Sequence, residues 1–310
     1  MQSVAVVMEE PRRLKLASLV LDEPGPADIV VETLWSGVSA GTEKLLYTGR
    51  MPTFPGMGYP LVPGYETVGR VIDAGPDAGV PVGANVFVPG AHCFGSVSVV
   101  HGGSASHLVV PGARVAQLDP ALGERGVLFA LAATALHAVN IADASGEALV
   151  VGHGALGRLI ARILVARGVK LTAWETNPVR ATGALGYSVV APDADPRRDY
   201  RHIIDVSGDS KALDALIQRL APHGRVTLAG FYETVGFAFA PAFMREVEFR
   251  ISAQWAPGDL GAAIKLVESG ALSLDGLITH RRDAREAPEA YPVAFEDPTC
   301  VKMVLDWSAL

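Results

Sequence analysis

The rhythm of hydrophobic and polar positions changes once along this chain, near residue 120. Before that point apolar residues alternate with polar ones in short runs: "SVAVV", "DIVVETLW", "TVGRVIDAG", "ANVFVP" and "SHLVVPG". A period of two puts alternate side chains on one face of a strand. Spacers rich in glycine and proline, such as "EPGPAD" and "PGPDAGVPVG", supply the turns between the runs. Helical periodicity is nearly absent. Residues 1 to about 118 therefore predict an all-β unit, a small barrel or a sandwich.

From about Glu124 the texture differs. "ERGVLFALAATALHAV" is long, alanine-rich and apolar, and predicts a buried helix. "EALVVGHGALGRLIARILVARG" reads as an apolar strand, a glycine turn and an amphipathic helix. The β-rich "KLTAWETN", "HIIDVSG" and "GRVTLAGFY" then alternate with the helical "PVRATGALG" and "SKALDALIQRLAP". Such alternation predicts a parallel sheet of βαβ units. Two β-like runs, "TVGFAFAP" and "VEFRISAQW", and a helix-like "PGDLGAAIKLVESG" follow. The mixed tail that begins "LITHRRDAREAPEAY" is expected to rejoin the first domain. The resulting division is 1–122 with 258–310 for one domain and 123–257 for the other.

Composition narrows the function. The length of 310 residues suits two domains or one large one, and the net charge of −7 argues against a nucleic-acid surface. The two cysteines, Cys93 and Cys300, have no CxxC spacing, so a disulfide framework and a structural zinc cluster are not expected. No signal peptide is visible and no run approaches the ~20 apolar residues of a membrane span. These features predict a cytoplasmic protein without an integral membrane segment.

"VVGHGALGRL" holds Gly152, Gly154 and Gly157 in the GxGxxG spacing. Alone this motif is weak. Here a strand precedes it, an amphipathic helix follows it, and Glu175 ends the next strand 18 residues after Gly157. Gly152 permits the tight turn, Gly154 lets backbone approach a pyrophosphate, and Gly157 allows close helix–strand packing. The pyrophosphate would rest on the positive end of the helix. Glu175 accepts both ribose hydroxyls of NAD and repels a 2′-phosphate, an effect that Arg180 partly offsets. NAD is the expected cofactor. His153, Leu156, Asn177, Ser207 and Gly230 complete the cofactor set.

An all-β unit followed by this nucleotide-binding unit resembles the medium-chain dehydrogenase/reductase superfamily. "WSGVSAGTE" sits where its zinc alcohol dehydrogenases carry a cysteine, "GYETVG" resembles their "GHExxG", and "LAATALHAV" resembles their domain-joining helix. The resemblance implies an α/β fold: a Rossmann doubly wound parallel sheet plus a GroES-like β-barrel catalytic domain. It also places Ser39, Tyr65 and Ala130 at the catalytic zinc positions, and hydroxyls and a methyl group are poor zinc donors. No metal is expected. What remains is a protic cluster of Ser39, Thr42, Glu43, Tyr65 and Glu66. Tyr65 is the first candidate to touch the substrate oxygen, with Ser39 or Thr42 relaying its proton. Equally, Tyr65 is a packed aromatic with a hydrogen-bond partner. His137, alone in an alanine-rich helix, is expected to be structural.

Longer strings, among them "GRMPTFPGMGYPLVPGYE", "DPRRDYR", "AFMREV" and "WAPGDL", resemble a zinc-free branch of that superfamily. That branch uses NAD to oxidise a 3-(1-hydroxyethyl) group on a chlorin or bacteriochlorin to acetyl in bacteriochlorophyll synthesis. The resemblance implies a tetrapyrrole substrate. Charge developing at a carbinol carbon joined to a conjugated macrocycle is delocalised, which lessens the need for a Lewis acid. Tyr47, Met51, Phe54, Met57 and Tyr59 are expected to offer flat, adaptable contacts, and Arg50 to pair with a propionate. His92 or His101 is a candidate axial ligand of the macrocycle's magnesium. A homodimer is expected by analogy, paired near "TVGFAFAP" and "EVEFRISAQW". Two other readings stay open: a zinc-free quinone or enone reductase, usually NADPH-dependent, and a nucleotide- or pigment-binding protein without turnover.

Overall fold

The computed structural model describes every residue except Thr53 and Gly56. The chain forms two compact units, Met1–Ala130 with Leu277–Leu310, and Leu131–Gly276.

In the first unit, strand Asp28–Val38 is the organiser. It pairs antiparallel with Thr67–Ala74, His107–Pro111 and the C-terminal strand Met303–Asp306. The sheet extends through Asn85–Val88 and Ala116–Gln117 on one side and His280–Asp283 on the other. A second sheet runs Arg13–Val20, Gln2–Glu10, Leu61–Val62, Ser98–Val99. Alternate residues of both sheets, such as Ala5, Val7, Ile29, Val31, Val86 and Leu108, meet in one apolar core. Strand Arg13–Val20 went unpredicted because its alternation leaves only half-buried side chains and no fully buried face. The tail does rejoin this unit. Helix Ala287–Glu296 seats Tyr291, Ala294 and Phe295 in a second core with Met8, Leu46 and Trp307.

In the second unit six strands run parallel, in the order Ser188–Val190, Lys170–Trp174, Glu147–Val151, Tyr200–Asp205, Leu220–Leu228, Glu248–Ile251. That is the third-second-first-fourth-fifth-sixth order of a dinucleotide-binding sheet, with a switch point beside the first strand. Helix Ala155–Ala166 follows the glycine turn because Leu159, Ile160, Ile163 and Leu164 recur on one face and are fully or almost fully buried. Each contributes roughly 1.5–3 kcal/mol by leaving water. The chain leaves that helix through Gly168 at φ +77°.

Three expectations fail. "PVRATGALG" is no α-helix: a 3₁₀ turn, Pro178–Ala181, gives way to irregular chain, as two glycines and a proline in nine residues favour. "TVGFAFAP" is no strand but a loop entering helix Phe239–Arg245. The division also lies later than 257/258, because helix Asp259–Glu268 packs with the second unit. There Asp259 Oδ2 accepts from His137 Nδ1 at 2.9 Å, and Arg162 donates to the Ser273 carbonyl at 2.7 Å. The structural role expected of His137 is visible in that bond. One segment, Pro120–Ala142, is long and apolar enough to cross a membrane, and 67% of its most apolar window is buried in the protein. It reads as core, although it exceeds the apolar run length expected from sequence.

Candidate active site and dinucleotide site

The corner that carries the protic cluster is built by glycine. Strand Asp28–Val38 ends beside Tyr65 and Glu66, and a Cβ at Gly37 would lie 2.1 Å from Glu66 Oε2. Only a residue without a side chain admits that carboxylate. Gly37 N–H also donates to the Glu66 carbonyl at 2.8 Å. Ser39 follows the strand, and Thr42 and Glu43 open the short helix Thr42–Thr48.

The five predicted residues do converge. Ser39 Oγ and Tyr65 OH are 2.7 Å apart, and the Thr42 hydroxyl also hydrogen-bonds the phenol. Burial, then the negative charge of Glu66, holds the Tyr65 hydroxyl well above the usual phenol range. Glu43 is 1% exposed. Its Oε1 accepts the Ser39 backbone N–H at 3.2 Å and its Oε2 accepts the Tyr291 hydroxyl at 2.6 Å. Burial pushes this carboxyl up to about 7; the Tyr291 bond opposes the shift and the Glu66 charge adds to it. Glu66 is fully buried and pairs with Lys302 Nζ at 2.5 Å, which also donates to the Val38 carbonyl.

Tyr291 and Lys302 were missed by sequence reasoning. A lysine inside the apolar run "CVKMVL" was a usable signal, since buried ammonium groups are almost always paired. Tyr291 carried no such mark. His101 stands edge-on to Tyr65 with ring centroids 5.0 Å apart, on a backbone at φ +74°. Burial first, then the charges of His92 and Arg114, lowers its pKa and favours neutral imidazole. His92 itself is exposed.

The loop expected to hold a flat substrate is partly committed elsewhere. Tyr47, Met51, Met57 and Tyr59 are half-buried against the core that holds Trp307. The Tyr47 ring lies 5.5 Å from that of Phe295, and the Tyr59 hydroxyl donates to the Leu46 carbonyl. Phe54 and Arg50 are exposed.

A zinc ion does not fit this corner. Zinc takes thiolate, imidazole or carboxylate, whereas Ser39 and Tyr65 present hydroxyls bonded to each other. Among the described residues no group of three or more His, Cys, Asp or Glu side chains is placed to hold a metal.

The glycine turn in the second unit fits a dinucleotide. Gly152 adopts φ +101°, and a Cβ at Gly157 would strike the Gly152 carbonyl at 2.0 Å. At Gly154, which caps helix Ala155–Ala166, a Cβ would meet nothing within 4 Å. That open space at a helix N-terminus is a cradle a phosphate can fill and a side chain would occupy. Glu175 is fixed by two backbone donors, His153 N–H to Oε2 at 3.1 Å and Asn177 N–H to Oε1 at 2.8 Å. The His153 ring faces into the protein. Its Nδ1 donates to the Arg180 carbonyl at 2.6 Å, so the Tyr187 hydroxyl donates to Nε2 at 2.7 Å. Arg158 Nη2 reaches the same Arg180 carbonyl at 3.2 Å and its Nε the His153 carbonyl at 3.1 Å. Thus His153, with the unpredicted Arg158 and Tyr187, pins the irregular chain after Arg180 where a helix was expected. Leu156 is half-buried in the first turn. Ser207 N–H is anchored on Asp205 Oδ1 at 2.9 Å, and Gly230 lies where a Cβ would meet the Gly208 nitrogen at 2.9 Å.

Residues 25–120 match the alcohol dehydrogenase GroES-like domain. The chain is 54% identical over 310 residues to a 2-desacetyl-2-hydroxyethyl bacteriochlorophyllide A dehydrogenase of Rhodobacter capsulatus, covering 99% of each protein. It is 53% identical to the protein of the same description from Cereibacter sphaeroides, covering 100% of this chain and 99% of that one. Among solved structures, an alcohol dehydrogenase from E. coli CFT073 complexed with NADH superposes with a TM-score of 0.84 at 19% identity, over 99% of both chains. A dehydrogenase from Sinorhizobium meliloti 1021 bound to NADP gives 0.81 at 20% identity, over 99% of this chain and 100% of that one. Structural neighbours of this fold thus bind NAD or NADP.

Proposed function

The chain belongs to the medium-chain dehydrogenase/reductase superfamily, with the bacteriochlorophyllide A dehydrogenases of Rhodobacter and Cereibacter, and on that premise we propose that it oxidises the 3-(1-hydroxyethyl) group of a bacteriochlorophyllide or chlorophyllide to 3-acetyl. The reaction serves bacteriochlorophyll synthesis, uses NAD and needs no zinc. The observation that carries this reading is the phenol of Tyr65, bonded to Ser39 and Thr42 where zinc relatives place an imidazole.

NAD, when bound, supplies the acceptor for the carbinol hydride. The chain's residues manage the hydroxyl proton. Tyr65 resists ionisation, so it takes the substrate proton as it hands its own to Ser39 or Thr42. Glu43, with a carboxyl matched to neutral pH, is the acceptor at the inner end. Glu66 with Lys302 keeps the corner's second carboxylate paired. Glu175, pinned at its strand end, disfavours a 2′-phosphate. Beside Tyr65, His101 is better placed than the exposed His92 to face the pigment's magnesium.

A homodimer belongs to the same reading. Strand Glu248–Ile251 ends the parallel sheet, and Phe239, Phe243, Met244 and Ile251 are 63–77% exposed there, an apolar patch that a second copy would cover. Two free, buried cysteines suit the reducing cytoplasm.

The test is optical. Metal-free protein is mixed with 3-hydroxyethyl bacteriochlorophyllide and either NAD or NADP. A red shift of the long-wavelength pigment band with stoichiometric NADH, and slower turnover with NADP, is expected. An unshifted band with both cofactors, despite NADH binding, contradicts the reading.

A further inference from the structure

The C-terminal segment sends one hydroxyl into the protic corner. Tyr291, in the middle of helix Ala287–Glu296, is fully buried, and its hydroxyl donates to Glu43 Oε2 at 2.6 Å. Its ring is already well packed, edge-on to Phe295 with centroids 5.7 Å apart. Packing alone would be served equally by phenylalanine, so the hydroxyl calls for its own explanation. On the other side of the carboxylate, Oε1 holds the Ser39 backbone N–H, and the Ser39 hydroxyl holds Tyr65. Two donors, one to each oxygen, fix the plane of Glu43 and favour its ionised form.

We propose that Tyr291 is a positioning residue for alcohol oxidation: its hydroxyl orients the Glu43 carboxylate to receive the proton that leaves the substrate through Tyr65 and Ser39. This rests on the reaction proposed above. The carbinol C–H bond breaks with its electron pair passing to the nicotinamide, and the substrate O–H proton passes to Tyr65. Tyr65 gives its own proton to Ser39, and Ser39 gives one to Glu43, which becomes a carboxylic acid and, being buried, resets when the same hydroxyl chain carries the proton back out after the product leaves. Ser39 touches Glu43 only through its backbone nitrogen, so the last transfer requires its hydroxyl to turn about χ1 toward Oε1. The charged and titratable groups facing Glu43 are Tyr291 from the C-terminal helix, Tyr65 and Glu66 from the segment before strand Thr67–Ala74, and Lys302 from the segment before Met303–Asp306. Tyr291 is the one side chain among them whose bond to Glu43 favours its charge.

The test compares wild type with Tyr291→Phe in the pigment oxidation assay across pH, alongside 13C NMR titration of the Glu43 carboxyl, assigned by Glu43→Gln. Loss of one donor to a carboxylate should raise the acid-limb midpoint of kcat, and the Glu43 titration, by roughly one pH unit. KM for the pigment should stay within about twofold, since nothing that binds it uniformly is removed. 3-Fluorotyrosine at position 291, a stronger donor of the same shape, should move both midpoints the opposite way, and it keeps the question answerable should Tyr291→Phe misfold. Midpoints unmoved in both variants overturn the role of Tyr291 and leave the reaction standing. Wild-type protein that makes no acetyl pigment, while the Glu43 titration still responds to residue 291, overturns the reaction and with it the role.

Discussion

Replacing Lys302 by methionine isolates the ion pair beside the protic corner. Methionine keeps the unbranched length of the side chain, so the change is chiefly the loss of a cation. The pair is 3% and 0% exposed, Nζ and Oε2 are 2.5 Å apart, and Glu66 Oε1 has no hydrogen-bond partner among the described residues. Glu66 cannot turn to water, because its carboxylate fills the space where Gly37 has no side chain. Removing one partner of such a pair leaves an uncompensated buried charge and costs about 3–5 kcal/mol. That is a large share of the ~5–15 kcal/mol that typically separates folded from unfolded chains. Glu66→Gln alone strands the ammonium and should cost a similar amount. The double variant strands no charge and should lose only about 1–2 kcal/mol, a coupling of at least ~4 kcal/mol. Urea unfolding of the four proteins at pH 7.5, with hydrogen exchange in strand Met303–Asp306 as a local probe, measures the cycle. Additive losses, or a Lys302→Met loss below about 1 kcal/mol, would refute the claim that this buried pair holds the corner together.

Other consequences follow from the same geometry. Gly154→Ala should leave stability within about 0.5 kcal/mol yet weaken NADH binding at least ~10-fold, because the added methyl group enters only the phosphate cradle; calorimetric titration and thermal melting separate the two effects. Gly157→Ala should lose both stability and binding, since its methyl group strikes the Gly152 carbonyl at 2.0 Å. The folded-state pKa of Glu43 is raised above its usual 4.5, so this group binds its proton more tightly when folded. Its contribution to stability is therefore complete below about pH 4.5 and is lost as pH rises toward about 7; Glu43→Gln should flatten that slope in melts taken from pH 5 to 8. Met244→Glu with Phe243→Glu should turn a dimer into a monomer by sedimentation while the monomer's NADH affinity is kept.

Much of this was legible in the sequence because the relevant signals are local. The glycine turn, its strand and its helix lie within twenty-odd residues, and Glu175 is one strand further on. Gly152, Gly154 and Gly157 each carry a distinct steric reason that one can write down before seeing a coordinate. The protic cluster was legible through "SAGTE" and "GYE", both short and both at the end of strands. What stayed hidden was non-local. Tyr291 lies 248 residues from Glu43, and Lys302 lies 236 from Glu66, distances that no periodicity reports. The His153 ring read as part of the cofactor loop, but its direction depends on Arg180 and Tyr187, which only the fold brings near. Short elements failed for a related reason. "TVGFAFAP" alternates like a strand, yet tertiary packing makes it a loop and a helix start, and its apolar residues face outward.

In the proposed reaction hydride and proton leave one carbinol, and this chain's own side chains, without zinc, manage the proton. The measurement that tests it most directly follows the carbinol hydrogen. Pigment deuterated at the hydroxyethyl carbinol carbon is turned over with NAD by protein freed of metal with a strong chelator, and the products are weighed by mass spectrometry. One deuterium is expected in each reduced cofactor, with one acetyl pigment formed alongside it and a rate that added zinc does not raise. Acetyl pigment formed without deuterium in the cofactor, or formed only once zinc is restored, would contradict the proposed reaction.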